Sequence, residues 1–159
     1  MHIRRPRLSG WNSRMFVAVT IAILLAPLAA AQKPDIAGTW KLNEAKSDGG
    51  RGVPSDVTIR VRVEGPEAWF VTTIHGETIE MQYNTEGQER VNQTPDATFT
   101  STVQWEGNAL VGVHHLKARD WQLTQRERIT WSRDGRTMTV VRIGAGPNQR
   151  DQKVVYDRQ

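Results

Sequence analysis

Hydrophobic and polar residues alternate with a period of two along several short stretches of this chain. In residues 57–64 the odd positions are apolar and the even positions are polar or charged, and residues 97–105 repeat the pattern with aromatic and threonine side chains. This period is typical of β-strands with one buried and one wet face. No segment shows a sustained 3.6-residue apolar period, so the pattern favours an antiparallel all-β fold.

Proline and glycine punctuate these stretches at short, regular intervals, which is typical of an all-β sandwich or barrel. The longest irregular piece, 44–56, contains several glycines and is expected to be a loop. The predicted strands are 37–43, 57–64, 68–75, 77–84, 97–105, 109–116, 121–132, 136–143 and 152–158.

One hairpin can be predicted to its register. Asp134-Gly135 is a strong signal for a tight β-turn, and a turn centred there sets which residues of the flanking strands face each other. Two apolar pairs and one opposite-charge pair then share a face, as a correct register requires. The predicted pairs are Trp131 with Met138, Ile129 with Val140, and Glu127 with Arg142.

The amino-terminal segment has the layout of a signal peptide. Residues 1–31 hold four arginines, no acidic residue, an apolar run over 15–28, and three small residues, Ala29-Ala30-Ala31, suited to cleavage. The apolar run is short for a membrane span. We therefore expect 1–31 to be removed, leaving a domain of 32–159 that is exported to the periplasm or beyond, without a stable membrane anchor.

Removal of this segment changes the charge balance. The whole chain has 21 basic and 17 acidic residues, but residues 32–159 hold 17 of each. A net charge of zero gives no electrostatic basis for binding nucleic acid. The chain contains no cysteine, so packing alone must hold this 128-residue domain, which we expect to be a monomer.

The segment Gly38-Thr39-Trp40-Lys41-Leu42 resembles the first strand of fatty-acid-binding proteins and other members of the calycin superfamily. The chain is also similar to small exported bacterial lipocalin-like proteins of unassigned role, which share its segments 45–47, 83–87 and 132–135. The resemblance implies an up-and-down meander that closes into an eight- or nine-stranded barrel. It implies that Gly38 allows close approach at the barrel closure and that Trp40 plugs the closed end, with Arg158 or Arg128 stacked on its ring.

The departures from fatty-acid-binding proteins concern their ligand machinery. Those proteins insert two helices after the first strand, for which 44–56 is too short. Their last strand carries an Arg-x-Tyr pair that holds a carboxylate, whereas this chain keeps Tyr156 but has Val154 at the arginine position. Fatty-acid binding by that mechanism is therefore not expected here.

A barrel of this size leaves room for one small ligand. We predict a non-catalytic barrel that takes a small apolar or amphipathic molecule and needs no cofactor. Strand parity and the fold resemblance select the candidate ligand-binding residues Phe70, Tyr83, Phe99, Trp105, His114, Trp131, Arg142 and Tyr156.

Two other functions fit the same pattern. The first is an envelope interaction module that binds no ligand. Its own side chains would fill the barrel interior, and its contact surface would include Trp69 or Trp121. A barrel enzyme would use Glu127 or His114 as acid and base, although no catalytic motif is visible. We expect the Glu127–Arg142 pair to be structural and to secure the strand register.

The sequence does not predict a metal site. His114 and His115 are adjacent on a predicted strand, so their side chains point to opposite faces and cannot bind the same ion. We expect one of them to point inward and the other to solvent. No third ligand is visible that would converge with either.

Overall fold

The computed structural model describes residues 33–48, 54–144 and 150–159. The predicted signal peptide, 1–31, and the glycine run at 49–52 lie outside the described residues. Within the described ranges, no helix is long and apolar enough to cross a membrane. The strands are β1 (Gly38–Leu42), β2 (Val57–Glu64), β3 (Glu67–Ile74), β4 (Glu77–Asn84), β5 (Arg90–Gln93), β6 (Ala97–Glu106), β7 (Ala109–Ala118), β8 (Gln122–Trp131), β9 (Thr137–Ile143) and β10 (Gln152–Arg158).

All ten described strands belong to one antiparallel sheet that curls into a nearly closed barrel. Neighbours in the sequence are neighbours in the sheet except β4 and β5, which form its two edges, and β1 pairs with β10. The predicted all-β meander is confirmed, although ten strands replace the expected eight or nine. The sequence pattern missed β5 because Val91 is the one apolar residue in its four positions.

The side chain of Asn92 spans the seam between β4 and β5. Its amide oxygen accepts a hydrogen bond from the Gln82 main-chain nitrogen at 2.8 Å, and its amide nitrogen donates to the Gln82 carbonyl at 3.0 Å. Arg90 also reaches across the seam to the carboxylate of Glu67 on β3. Side chains therefore replace the main-chain ladder between β4 and β5, and main-chain hydrogen bonds from the segment after β4 to β6 continue the closure.

Replacing Asn92 with alanine should loosen this seam. Both main-chain groups of Gln82 lose their partners, which should lower the free energy of unfolding by about 1–2 kcal/mol. Hydrogen exchange at the Gln82 amide should accelerate in the same variant. Asn108→Ala, in the exposed β6–β7 turn, is the matched control and should change stability by less than about 0.5 kcal/mol. Unchanged exchange at Gln82 would show that Asn92 does not hold the seam.

One end of the barrel is closed by Trp40. Its side chain is fully buried, its indole nitrogen donates to the Ile36 carbonyl at 3.1 Å, and the Arg158 guanidinium lies 5.0 Å from its ring centroid. Arg158, rather than Arg128, thus occupies the stacking position, and it also donates to the carbonyl oxygens of Asp35 and Ala37. These contacts hold the segment before β1 across the closed end.

Gly38 makes room for this arrangement. Its φ of +135° lies in a region that favours glycine, and a Cβ there would come within 3.2 Å of the Arg158 Nε atom. The sequence predicted that Gly38 lets neighbouring strands come close together at the barrel closure. In the structure, the group that lies close to Gly38 is the Arg158 side chain.

The β8–β9 hairpin has the predicted register. Glu127 lies opposite Arg142, Ile129 opposite Val140, and Trp131 opposite Met138. The turn at Asp134-Gly135 lies at the closed end, so the Glu127–Arg142 pair is placed toward the opposite, open end. This confirmed register extends through β7, where Gly112 lies opposite Glu127 and His114 opposite Gln125.

Candidate functional site

Inward-facing residues of β4 and of β6–β10 surround a cavity at the open end of the barrel. Its volume is about 350 Å³. The wall contains both apolar and polar residues, because the same strands supply both kinds of residue at inward positions. It is lined by Met81, Tyr83, Phe99, His114, Leu116, Leu123, Gln125, Glu127, Arg142 and Gln152.

A smaller space of about 140 Å³ continues from this cavity toward the closed end. Met81, Tyr83, His114, Glu127 and Arg142 line both spaces. The deeper part is otherwise mainly apolar, with walls from Phe70, Val103, Leu110 and Ile129. The polar residues therefore form a belt with apolar surface on both sides of it.

Glu127 is the centre of this polar belt. One carboxylate oxygen lies 3.3 Å from His114 Nε2, and the other lies 3.9 Å from Arg142 Nε. The Arg142 guanidinium also donates to the Gln152 amide oxygen at 3.3 Å. Strand pairing explains the grouping, because β8 lies between β7, which carries His114, and β9, which carries Arg142.

Two small residues set the position of His114. Its Nδ1 atom is hydrogen-bonded to the Ser101 hydroxyl at 2.9 Å, and Ser101 lies directly opposite on β6. Gly112, two residues earlier on the same face, leaves space for the ring, since a Cβ there would lie 2.5 Å from Nε2. The Nε2 atom is buried and, among the described residues, has no well-aligned hydrogen-bond partner, although Glu127 is near.

Burial and charge act in opposite directions on Glu127. Burial raises the pKa of its carboxyl, but the contact with His114 and the positive charge of Arg142 outweigh that effect, so the pKa lies below its ordinary value. Glu127 is therefore ionised near neutral pH. Burial and the Glu127 charge raise the pKa of Tyr83, and burial raises that of Tyr156, so both phenols are neutral hydrogen-bonding groups.

The structure brings together part of the predicted ligand site. Tyr83, Phe99, His114 and Arg142 line the main cavity, and Phe70 lines its deeper part. Trp105 and Trp131 instead pack on each other with ring centroids 5.7 Å apart. Tyr156 is buried in the core. Glu127, assigned a structural role from the sequence, lines both spaces.

Sequence reasoning missed several cavity residues. Leu123 and Gln125 share the parity of Glu127 on the same strand, and Leu116 shares the parity of His114, so parity alone would have found them. Met81 has the same parity as Tyr83. Gln152 has the same parity as Tyr156 on its strand, although the long β9–β10 connection left the register of that strand open.

The two adjacent histidines face opposite sides of β7, as expected. His114 is buried, whereas His115 is exposed and hydrogen-bonded to the Thr124 hydroxyl at 2.9 Å. In the part of the chain that the structure describes, no group of three metal-ligating side chains comes together.

Solved structures with the same barrel identify the fold. The REP1-NXSQ fatty acid transporter is 18% identical, and the match covers 79% of this chain and 96% of that one with a TM-score of 0.57. Lipid binding protein 8 of Caenorhabditis elegans is 11% identical, covering 77% and 94% with a TM-score of 0.56. The chain therefore has the same β-barrel fold as these two proteins, in agreement with the fold that its first strand predicted.

No protein-family model matches the sequence, and no curated protein matches it either.

Proposed function

We propose that this protein binds a small apolar or amphipathic molecule inside its barrel. The observation that carries the proposal is the open cavity of about 350 Å³, whose volume lies at the lower end of the usual range for ligand sites. Aromatic and aliphatic side chains form most of its wall, with a few convergent polar groups. This combination holds an apolar body and orients a polar group.

The structural neighbours support an apolar ligand. One is named as a fatty acid transporter and another as a lipid binding protein, and both have the same barrel as this chain. Their low sequence identity carries only the fold, so the proposal depends on the cavity of this chain and its residues.

An interaction module with a filled barrel is less well supported. Its two candidate contact residues do not form one surface. Trp69 is half-buried under the Arg62 guanidinium, 4.5 Å from its ring centroid, whereas Trp121 is exposed in the β7–β8 turn at the open end. The cavity, by contrast, leaves interior volume that side chains do not occupy.

We also propose that the protein acts outside the cytoplasm, as a monomer and without a cofactor. The signal-peptide pattern of residues 1–31 supports export. The absence of cysteine is compatible with any redox compartment and does not oppose it.

Filling the cavity should abolish binding. In Leu116→Trp the larger side chain enters the wall of the main cavity, so the affinity for Nile red, a neutral apolar dye, should fall at least about tenfold. Val91→Trp is the matched control, since Val91 is exposed on β5, and its affinity should be unchanged. Fluorescence titration of both variants measures the effect. Equal affinity in the two variants would place the dye outside the barrel and contradict the proposal.

A further inference from the structure

We infer that the ligand of this cavity carries an uncharged hydrogen-bonding head group, such as a hydroxyl, amide or carbonyl, rather than a carboxylate or an ammonium. This inference rests on the proposed function and names the class of molecule that the site selects. Its basis is the way in which the charged groups of the polar belt already compensate one another.

Arg142 is not free to act as an anion site. Its guanidinium lies 3.9 Å from a Glu127 carboxylate oxygen and donates to Gln152. A ligand carboxylate that approached Arg142 would also approach the ionised Glu127, and like charges repel strongly in a partly desolvated site. The guanidinium therefore attracts a second carboxylate much less than an unpaired arginine would.

Glu127 is equally unsuited to be a cation site. His114 Nε2 lies 3.3 Å from one of its oxygens, and Arg142 flanks the other. An ammonium group would have to enter beside the Arg142 charge. The formal charges of Glu127 and Arg142 cancel, and His114, the other basic side chain among the described residues around the main cavity, contacts the same Glu127 carboxylate.

The remaining polar groups around the main cavity suit a neutral partner. Arg142 uses the Gln152 amide oxygen and main-chain carbonyls use the Gln125 amide nitrogen, which leaves the Gln152 nitrogen and the Gln125 oxygen for a ligand. Tyr83 presents a phenol that stays protonated near neutral pH. Amides and phenols both donate and accept hydrogen bonds. A hydroxyl or amide head group can therefore be satisfied without displacing an ion pair, while the apolar chain contacts residues such as Phe99 and Leu116.

Three probes with the same chain and different head groups test this inference. Decanol is neutral, decanoate is an anion and decylammonium is a cation near neutral pH. We expect the protein, titrated by displacement of Nile red and by calorimetry, to bind decanol at least about tenfold more tightly than either charged probe. An equal or tighter affinity for decanoate or decylammonium would overturn the inference.

A single substitution should weaken the preference of the site for a neutral head group over a carboxylate. Glu127→Gln leaves the shape of the site but frees the Arg142 charge, so decanoate should gain at least about tenfold in affinity while decanol changes little. Glu106→Gln is the matched control: Glu106 pairs with Arg128 on the exposed surface, and its loss should leave all three affinities unchanged. No gain for decanoate in a folded Glu127→Gln protein would also overturn the inference.

The outcomes separate this inference from the function on which it rests. If Nile red binds in the cavity but decanol is not preferred, the head-group inference is wrong and ligand binding stands. If neither the dye nor any probe binds, both are wrong. Should Glu127→Gln fail to fold, the three-probe comparison on the unmodified protein decides the matter alone.

Discussion

Trp40→Ala is expected to lower the free energy of unfolding by about 3–5 kcal/mol, as for other large buried aromatic residues. Trp40 is fully buried at the closed end, where its loss leaves a cavity that the strands cannot fill. The variant also loses the hydrogen bond to the Ile36 carbonyl and the contact with the Arg158 guanidinium. Chemical denaturation followed by circular dichroism measures the change.

Trp121→Ala is the matched control for this experiment. Trp121 is 54% exposed in the β7–β8 turn, so its removal should change stability by less than about 0.5 kcal/mol. The contrast between the two tryptophans distinguishes burial from residue type. A Trp40→Ala protein with the same denaturation midpoint as its parent would show that the closed end does not depend on this plug.

Glu127 and Arg142 should show the behaviour of a partly desolvated ion pair. We expect Glu127→Gln or Arg142→Met alone to destabilise the protein by about 1–4 kcal/mol, because each single change leaves one charge without its partner. The double variant should recover part of the combined loss. Arg142 is one-third exposed, which places its single substitution toward the lower end of that range.

The surface pair Arg128–Glu106 provides the control, studied with the same set of two single variants and one double variant. Its side chains are about half exposed and 3.2 Å apart, so solvent screens their interaction and removing either should cost less than about 1 kcal/mol. A coupling energy between Glu127 and Arg142 no larger than that of this surface pair would contradict the partly buried ion pair. If both single variants kept full stability but altered binding, the pair would serve the ligand alone.

Much of the fold could be predicted because strand parity is a local property. The odd positions of 57–64 alternate with polar ones, and Val57, Ile59 and Val61 are indeed buried on β2. The Asp134-Gly135 turn predicted the pairing of β8 with β9 because a tight turn sets the register of the strands that it joins. The short strand β5 was not predicted, because a strand with one apolar residue shows no alternation of apolar and polar positions.

The site could be predicted only in part. Parity identified the inward positions of Tyr83, Phe99, His114 and Arg142, and all four line the cavity. Parity does not say how far along the barrel axis an inward residue lies. Trp105 and Trp131 have the correct parity, but they pack together away from the main cavity.

The sequence by itself determined the antiparallel all-β architecture, the register of one hairpin and the opposite orientations of His114 and His115. Each of these follows from alternation and turn chemistry within a few residues. Only the tertiary structure showed that Glu127 contacts His114 in addition to its predicted partner Arg142, and that Asn92 spans the β4–β5 seam. Those contacts depend on where each side chain lies across neighbouring strands, and closing the barrel sets the height of every strand relative to its neighbours.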